Sequence, residues 1–80
     1  MKFQSINTET REITLTTNME EIQDLIMYLG HGRHAKALDF LNYENLGWKE
    51  SAEICKKQRD DIEAKMHQFN DILLKADKTL

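Results

Sequence analysis

The sequence contains no proline, one cysteine, three glycines and one tryptophan in 80 residues. Without proline, nothing in the chain forces a helix to break. A lone thiol, Cys55, rules out a disulfide framework within the chain and is typical of a reducing compartment, so we expect a cytoplasmic protein. No apolar run approaches the roughly 20 residues that cross a bilayer, and the first residues lack the apolar core of a signal peptide. We therefore expect no membrane association.

An excess of charge of one sign is also missing. The chain has 11 basic and 14 acidic residues, which gives a formal net charge of −3. A nucleic-acid-binding protein usually presents a basic face. The densest basic cluster here, Lys56, Lys57 and Arg59, is interleaved with acidic residues. Nucleic-acid binding through this cluster is therefore the least favoured function.

Residues 1–16 predict a β-hairpin. Ile13 and Leu15 alternate with threonines, and Asn7-Thr8-Glu9-Thr10 is a plausible turn. Strict alternation would place Phe3 on one face of the first strand and Ile6 on the other. Two strands alone are marginally stable in water, so the hairpin is expected to lie on a helix or to add to another sheet edge.

Residues 17–47 predict a pair of short helices. Thr17-Asn18-Met19-Glu20 has the form of a capping box with Thr17 as N-cap. Apolar residues then recur every three or four positions until Gly30, which is a natural left-handed residue at a helix end. A second helix is predicted from about 33 to 43 and ends at Asn45-Leu46-Gly47. Its expected inward residues are Ala35, Ala37, Leu38 and Leu41.

Residues 48–80 predict one long helix with a heptad pattern. Ten positions that alternate by four and three are apolar except for Arg59. At 1.5 Å per residue this helix would be about 48 Å long. Two short helices that fold back on each other would leave part of this row uncovered, so we expect self-association, most simply as a homodimer. The predicted oligomer interface consists of Cys55, Arg59, Ile62, Met66, Phe69, Leu73 and Leu80.

The stretch from Gly30 to His34 has two interpretations. Glycines ahead of a helix with Arg33 nearby would suit a small anion such as a nucleotide, because a helix N-terminus offers free N–H groups. The candidate ligand residues are His31, Gly32, Arg33 and His34. The sequence matches neither the Walker nor the dinucleotide pattern, so a hinge between two helices is the favoured interpretation.

Catalytic and metal sites have weak support. Cys55 lies in the apolar row, where a buried small side chain is its ordinary role, and no base and orienting group accompany it. His31 and His34 form one closely spaced pair, whereas a structural zinc site needs two. We expect no enzyme activity, no cofactor and no metal.

Two features point to protein interactions. Arg59 in an apolar row can specify register or oligomeric state, extend to solvent, or pair with a partner. Phe40, Tyr43 and Trp48 flank the second predicted turn and form either a core cluster or an aromatic patch that anchors a partner. The sequence thus predicts a mostly helical α+β domain spanning 1–80. Its predicted function is that of a small regulator or inhibitor that self-associates and binds another protein, with anion binding as the alternative.

Overall fold

A computed structural model describes all 80 residues as a β-hairpin followed by two helices, with 72% of the chain helical. The strands are β1 (Lys2–Ile6) and β2 (Ile13–Thr16), which pair antiparallel. The side-chain oxygen of Asn7 accepts hydrogen bonds from the backbone N–H groups of Glu9 and Thr10, at 3.0 and 3.3 Å. Such side-chain bonds stabilise a tight reversal of the chain. The predicted hairpin is confirmed.

Helix α1 spans Met19–Asn45, and its N-cap is Asn18. The Asn18 side chain accepts a hydrogen bond from the backbone N–H of Glu21 at 2.8 Å, which satisfies one of the free donors at the helix start. Glu21 does not complete a capping box but pairs with the N-terminal ammonium of Met1. The prediction of Thr17 as the N-cap was therefore wrong by one residue.

The two short helices predicted from the sequence are one continuous helix of 27 residues. Gly30 and Gly32 lie inside it and do not form a turn. Their helical conformation is open to any residue, and the propensity cost of a helical glycine is only about 1 kcal/mol each. Packing along the whole of α1 outweighs that cost, as is common for helices in proteins.

The only tight turn between helices is at residues 46–48. Gly47 has a φ of +77°, which favours glycine. The N–H groups of Leu46, Gly47 and Trp48 donate to carbonyls in the last turn of α1, at 2.9–3.1 Å. The predicted end of the second helix at Asn45-Leu46-Gly47 is thus confirmed.

Helix α2 spans Lys49–Thr79 and packs antiparallel on α1. At 1.5 Å per residue the two helices are about 40 and 46 Å long. The molecule measures 48 × 33 × 17 Å with a radius of gyration of 16.5 Å, against roughly 12 Å for a compact chain of this length. Only Ile22, Ala52 and Cys55 are buried. Two helices packed in a single layer therefore bury very few residues.

Candidate interaction surfaces

The N-terminal hairpin carries an apolar face that strict alternation does not predict. A bulge between Phe3 and Ser5 shifts the pairing, so that Phe3 lies opposite Leu15 and Ile6 lies opposite Ile13. Because an extra residue in one strand reverses the alternation beyond it, Phe3 and Ile6 share a face. The prediction that they lie on opposite faces was wrong. All four side chains are between 45% and 64% exposed.

The hairpin stands apart from the helices. Neither strand approaches either helix at the level of the backbone, and every strand residue is exposed. The ion pair between the Met1 ammonium and Glu21 joins the hairpin to α1. Of the two expected supports, a helix or another sheet edge, neither is provided within the chain, and the apolar face of the hairpin is uncovered.

The long apolar row of α2 faces α1. Ala52 and Cys55 are buried, and Leu80, at 92%, is almost fully exposed. The intervening predicted interface residues are all half-buried: Arg59, Ile62, Met66, Phe69 and Leu73. The residues assigned to an oligomer interface thus already pack within one chain, but incompletely. Their role between chains stays a prediction.

Arg59 has two partners within its own chain. Its guanidinium lies over the ring of Phe40, 5.6 Å from the ring centroid, and donates to the carboxylate of Asp60 at 3.2 Å. A cation at this position is attracted by the negative face of the ring. Arg59 therefore occupies a place in the α1–α2 contact without burying an unpaired charge.

The aromatic residues near the turn are divided between two settings. Phe40 is half-buried beneath Arg59, whereas Tyr43 stacks on Trp48 with ring centroids 5.7 Å apart and an interplanar angle of 22°. Trp48 is 56% exposed, and Leu46 beside it is 61% exposed. The turn end of the helix pair therefore presents an apolar surface, here called the aromatic turn (Tyr43, Leu46 and Trp48).

The Gly30–His34 stretch is not a loop. Its backbone lies in the interior of α1, where N–H groups are already bonded to carbonyls of the preceding turn. His31 and His34 are exposed, and Arg33 pairs with Glu63 of α2 at 3.4 Å. The free N–H groups on which the anion interpretation depended are thus absent, and the hinge interpretation was wrong. The glycines instead adjoin Met66 and Ile62 of α2.

The outer face of α1 carries exposed apolar residues that the sequence interpretation missed, with the exposed His31 and His34 between Met27 and Leu38. Leu38 and Leu41 were predicted to point inward, but they are 48% and 53% exposed, and Met27 is 50% exposed. The continuity of the helix explains the error: Ile22, Leu29 and Phe40 set the phase of the inner stripe, and this phase carries Leu38 and Leu41 away from α2. Treating 19–45 as one periodic segment would have found this outer face.

Polar side chains form no concentrated site. The largest surface depression, about 480 Å³, lies beside the turn and mixes Glu44, Glu53, Lys49 and Lys56. No three acidic, histidine or cysteine side chains converge in a way that could hold a metal ion. Lys56 and Lys57 are exposed, while Arg59 is engaged with Phe40 and Asp60.

Neither helix is both long and apolar enough to cross a membrane. Comparison of the chain with protein-family models, with curated proteins and with solved structures finds no match. Functional inference therefore depends on the surfaces described above.

Proposed function

We propose that this chain is a non-enzymatic interaction protein that self-associates and acts as a regulator or inhibitor by binding another protein. The observation that carries the proposal is the amount of surface left open. The chain exposes 6684 Å², whereas a compact monomer of 9.4 kDa exposes about 5,000 Å². Fifteen large apolar side chains are each at least 45% exposed. Exposed apolar area of this kind is typical of interaction sites.

Self-association is supported by the incomplete cover of the α2 row. Two helices cover each other along one line and leave their contact open on both sides. Ile62, Met66 and Phe69 are for this reason half-buried. A second pair of helices laid alongside closes such a contact, as in four-helix bundles. The residues of the predicted oligomer interface would then serve both within and between chains.

A non-enzymatic role is supported by the placing of the polar groups. The ion pairs Arg33–Glu63 and Arg59–Asp60 lie at the surface and join helices or neighbouring residues. Catalysis by a nucleophile requires a base within hydrogen-bond reach and a third group that orients it. Cys55, the strongest nucleophile in the chain, is buried in the helix contact. Its free thiol also favours the reducing environment of the cytoplasm.

The aromatic turn is the surface we assign to the other protein. Tryptophan and tyrosine are enriched among residues that dominate binding energy, because they bury large areas at small entropic cost. The stacking of Tyr43 on Trp48 fixes both rings before binding. Phe40, the third residue assigned to partner binding from the sequence, is half-buried beneath Arg59, and its role in binding stays a prediction.

Self-association is tested by the mass of the purified chain in light scattering between about 5 and 200 µM. We expect twice the mass of one chain, since obligate homodimers bury about 2,000–5,000 Å² and the excess surface of two chains, about 3,400 Å², lies within that range. A mass of one chain at every concentration would contradict self-association.

Partner binding is tested by capture with Trp48→Ser and with Leu74→Ser as the matched control. Both changes remove an exposed apolar side chain, but Leu74 lies toward the opposite end of α2. Serine is favoured at an N-cap, so Trp48→Ser leaves the start of α2 intact. A protein recovered in stoichiometric amount with the unaltered chain and with Leu74→Ser, but lost with Trp48→Ser, is the expected result. Equal recovery with both variants would exclude the aromatic turn.

A further inference from the structure

We propose that the apolar face of the N-terminal hairpin docks on the outer face of α1 in a second copy of this chain, and that the exchange is reciprocal. This inference rests on the proposed self-association and adds a contact that the dimer requires beyond the side-by-side helices. The hairpin face is Phe3, Ile6, Ile13 and Leu15. The receiving face is the exposed stripe of α1 that carries Met27, Leu38 and Leu41, with His31 and His34 between Met27 and Leu38.

The hairpin is built to lie on another surface. Its bulge gathers its four apolar strand side chains on one face, while Lys2 pairs with Thr16 and Ser5 pairs with Thr14 on the polar face. A two-stranded hairpin is marginal in water unless it packs against a helix or joins further strands. Its own helices do not supply that packing, because neither strand approaches them.

The apolar face of the hairpin is shorter than the receiving face and covers about half of its length. Met27 and Leu41 are 14 residues apart in α1, which corresponds to about 21 Å along the helix. Phe3 and Ile6 are three residues apart in β1, which corresponds to roughly 10 Å. Both surfaces consist of side chains about half exposed, and a contact between them removes apolar area from water on both sides.

The hairpin cannot reach the Leu38 and Leu41 end of this face in its own chain. Only Thr17 and Asn18 separate β2 from α1. If the hairpin folded back on its own helix, Ile13 would lie about 10 Å along the strand from Thr16. Leu38 and Leu41 lie about 28 and 33 Å along α1 from Met19. Because the hairpin of the same chain cannot reach these two leucines, the hairpin that covers them comes from a second copy.

A reciprocal arrangement also fits the area. Each chain exposes about 1,700 Å² more than a compact monomer of its mass. In a two-fold dimer each chain contributes both a hairpin and a receiving face, so that one contact is made twice. This doubling raises the area that a small hairpin can bury toward that of stable interfaces, which bury at least about 1,200 Å² in total.

The proposal is tested by light scattering of Ile13→Asp and Leu38→Asp. Matched controls are Thr14→Asp, which places the same charge on the polar face of the same strand, and Ala35→Asp, at an exposed small residue of the same helix. We expect the first two variants to have the mass of one chain at 50 µM, and the controls to remain dimeric. Retained helical circular dichroism would show that the subunits are folded.

Two other outcomes are distinguishable. A dimer that survives both Ile13→Asp and Leu38→Asp would overturn this inference but leave the proposed self-association standing. An unaltered chain that is monomeric would overturn both.

A cross-linking experiment tests the same contact without depending on dissociation of the dimer. In a Cys55→Ser background, chains with Leu15→Cys are mixed with chains carrying Leu38→Cys and oxidised.

A disulfide between the two different chains is the expected product. Thr14→Cys in place of Leu15→Cys is the control, since Thr14 lies on the other face of β2. Equal cross-linking from positions 14 and 15 would overturn the docking geometry.

Discussion

At the scale of single residues, Gly30 and Gly32 of α1 lie against α2, but a larger side chain such as alanine would also fit at both positions. A Cβ added at Gly30 would lie 3.6 Å from the end of Met66, and one added at Gly32 would lie 3.6 Å from the end of Ile62. Both distances are ordinary van der Waals contacts. Neither glycine has a conformation closed to other residues, so their effect on stability is that of a flexible residue in a helix.

We therefore predict that Gly32→Ala stabilises the chain. The gain should be about 0.5–1 kcal/mol, because alanine has the higher helix propensity and loses less freedom on folding. For a chain of this size such a gain raises the melting temperature by about 2–8 °C. Thermal unfolding followed by circular dichroism measures it.

The control is Gly47→Ala, which should do the opposite. Gly47 has open space around it, but its φ of +77° costs an alanine about 1–2 kcal/mol. If Gly32→Ala lowered the melting temperature as Gly47→Ala does, α1 would not be a continuous helix at Gly32.

Arg59 and Phe40 should be energetically coupled. The cation lies 5.6 Å from the ring centroid at a partly exposed site, where such contacts contribute about 0.5–1 kcal/mol. In a double-mutant cycle with Arg59→Met and Phe40→Leu, urea unfolding should give a coupling free energy of about 0.5 kcal/mol. Additive effects of the two changes would contradict the contact.

At the scale of elements, the N-cap of α1 can be tested, because the structure assigns it to Asn18 and the sequence pattern predicted Thr17. Asn18→Ala removes the side chain that accepts from the N–H of Glu21 and should cost about 1 kcal/mol of unfolding free energy. Thr17→Ala should cost much less, because its hydroxyl makes only a 3.5 Å contact with the carbonyl of Asn18. A larger cost for Thr17→Ala than for Asn18→Ala, measured by urea unfolding, would show that Thr17 is the N-cap, as the capping-box pattern predicted.

Local sequence patterns predicted most of the helices and strands, whereas contacts between distant parts of the chain decided the features that were predicted wrongly. The hairpin, the end of α1 at Asn45 and the long α2 follow from alternation, a glycine and a heptad row. Two features do not. Gly30 carries the signature of a helix end, but the packing of α2 along α1 keeps the helix intact through it. A bulge is a property of two paired strands, so the sequence of β1 alone could not place Ile6 on the face of Phe3.

At the scale of the whole molecule, three buried residues are a small core for 80. Chains of this length bury about 60% of their unfolded surface even when compact, and this one is elongated. Most of its stability should therefore depend on association.

Stability should consequently depend on concentration. For a folded dimer that unfolds to separate chains, we expect the melting temperature to rise by about 3–5 °C for each tenfold increase in chain concentration. Scanning calorimetry or circular dichroism between 5 and 500 µM measures this. A melting temperature independent of concentration would mean that the helix pair is stable by itself.

The gap between the hairpin and its own helices has a consequence for cooperativity. Within one chain the two units share the Met1–Glu21 ion pair and the short linker, so either can open while the other stays closed. Amide hydrogens of β1 and β2 should then exchange with solvent far faster than those of α1 and α2 in dilute chains. In the reciprocal dimer each hairpin is held by the other copy's helix, and slow exchange should spread to the strands. The cooperative unfolding that ordinarily joins all parts of one small domain would here depend on contacts between two chains.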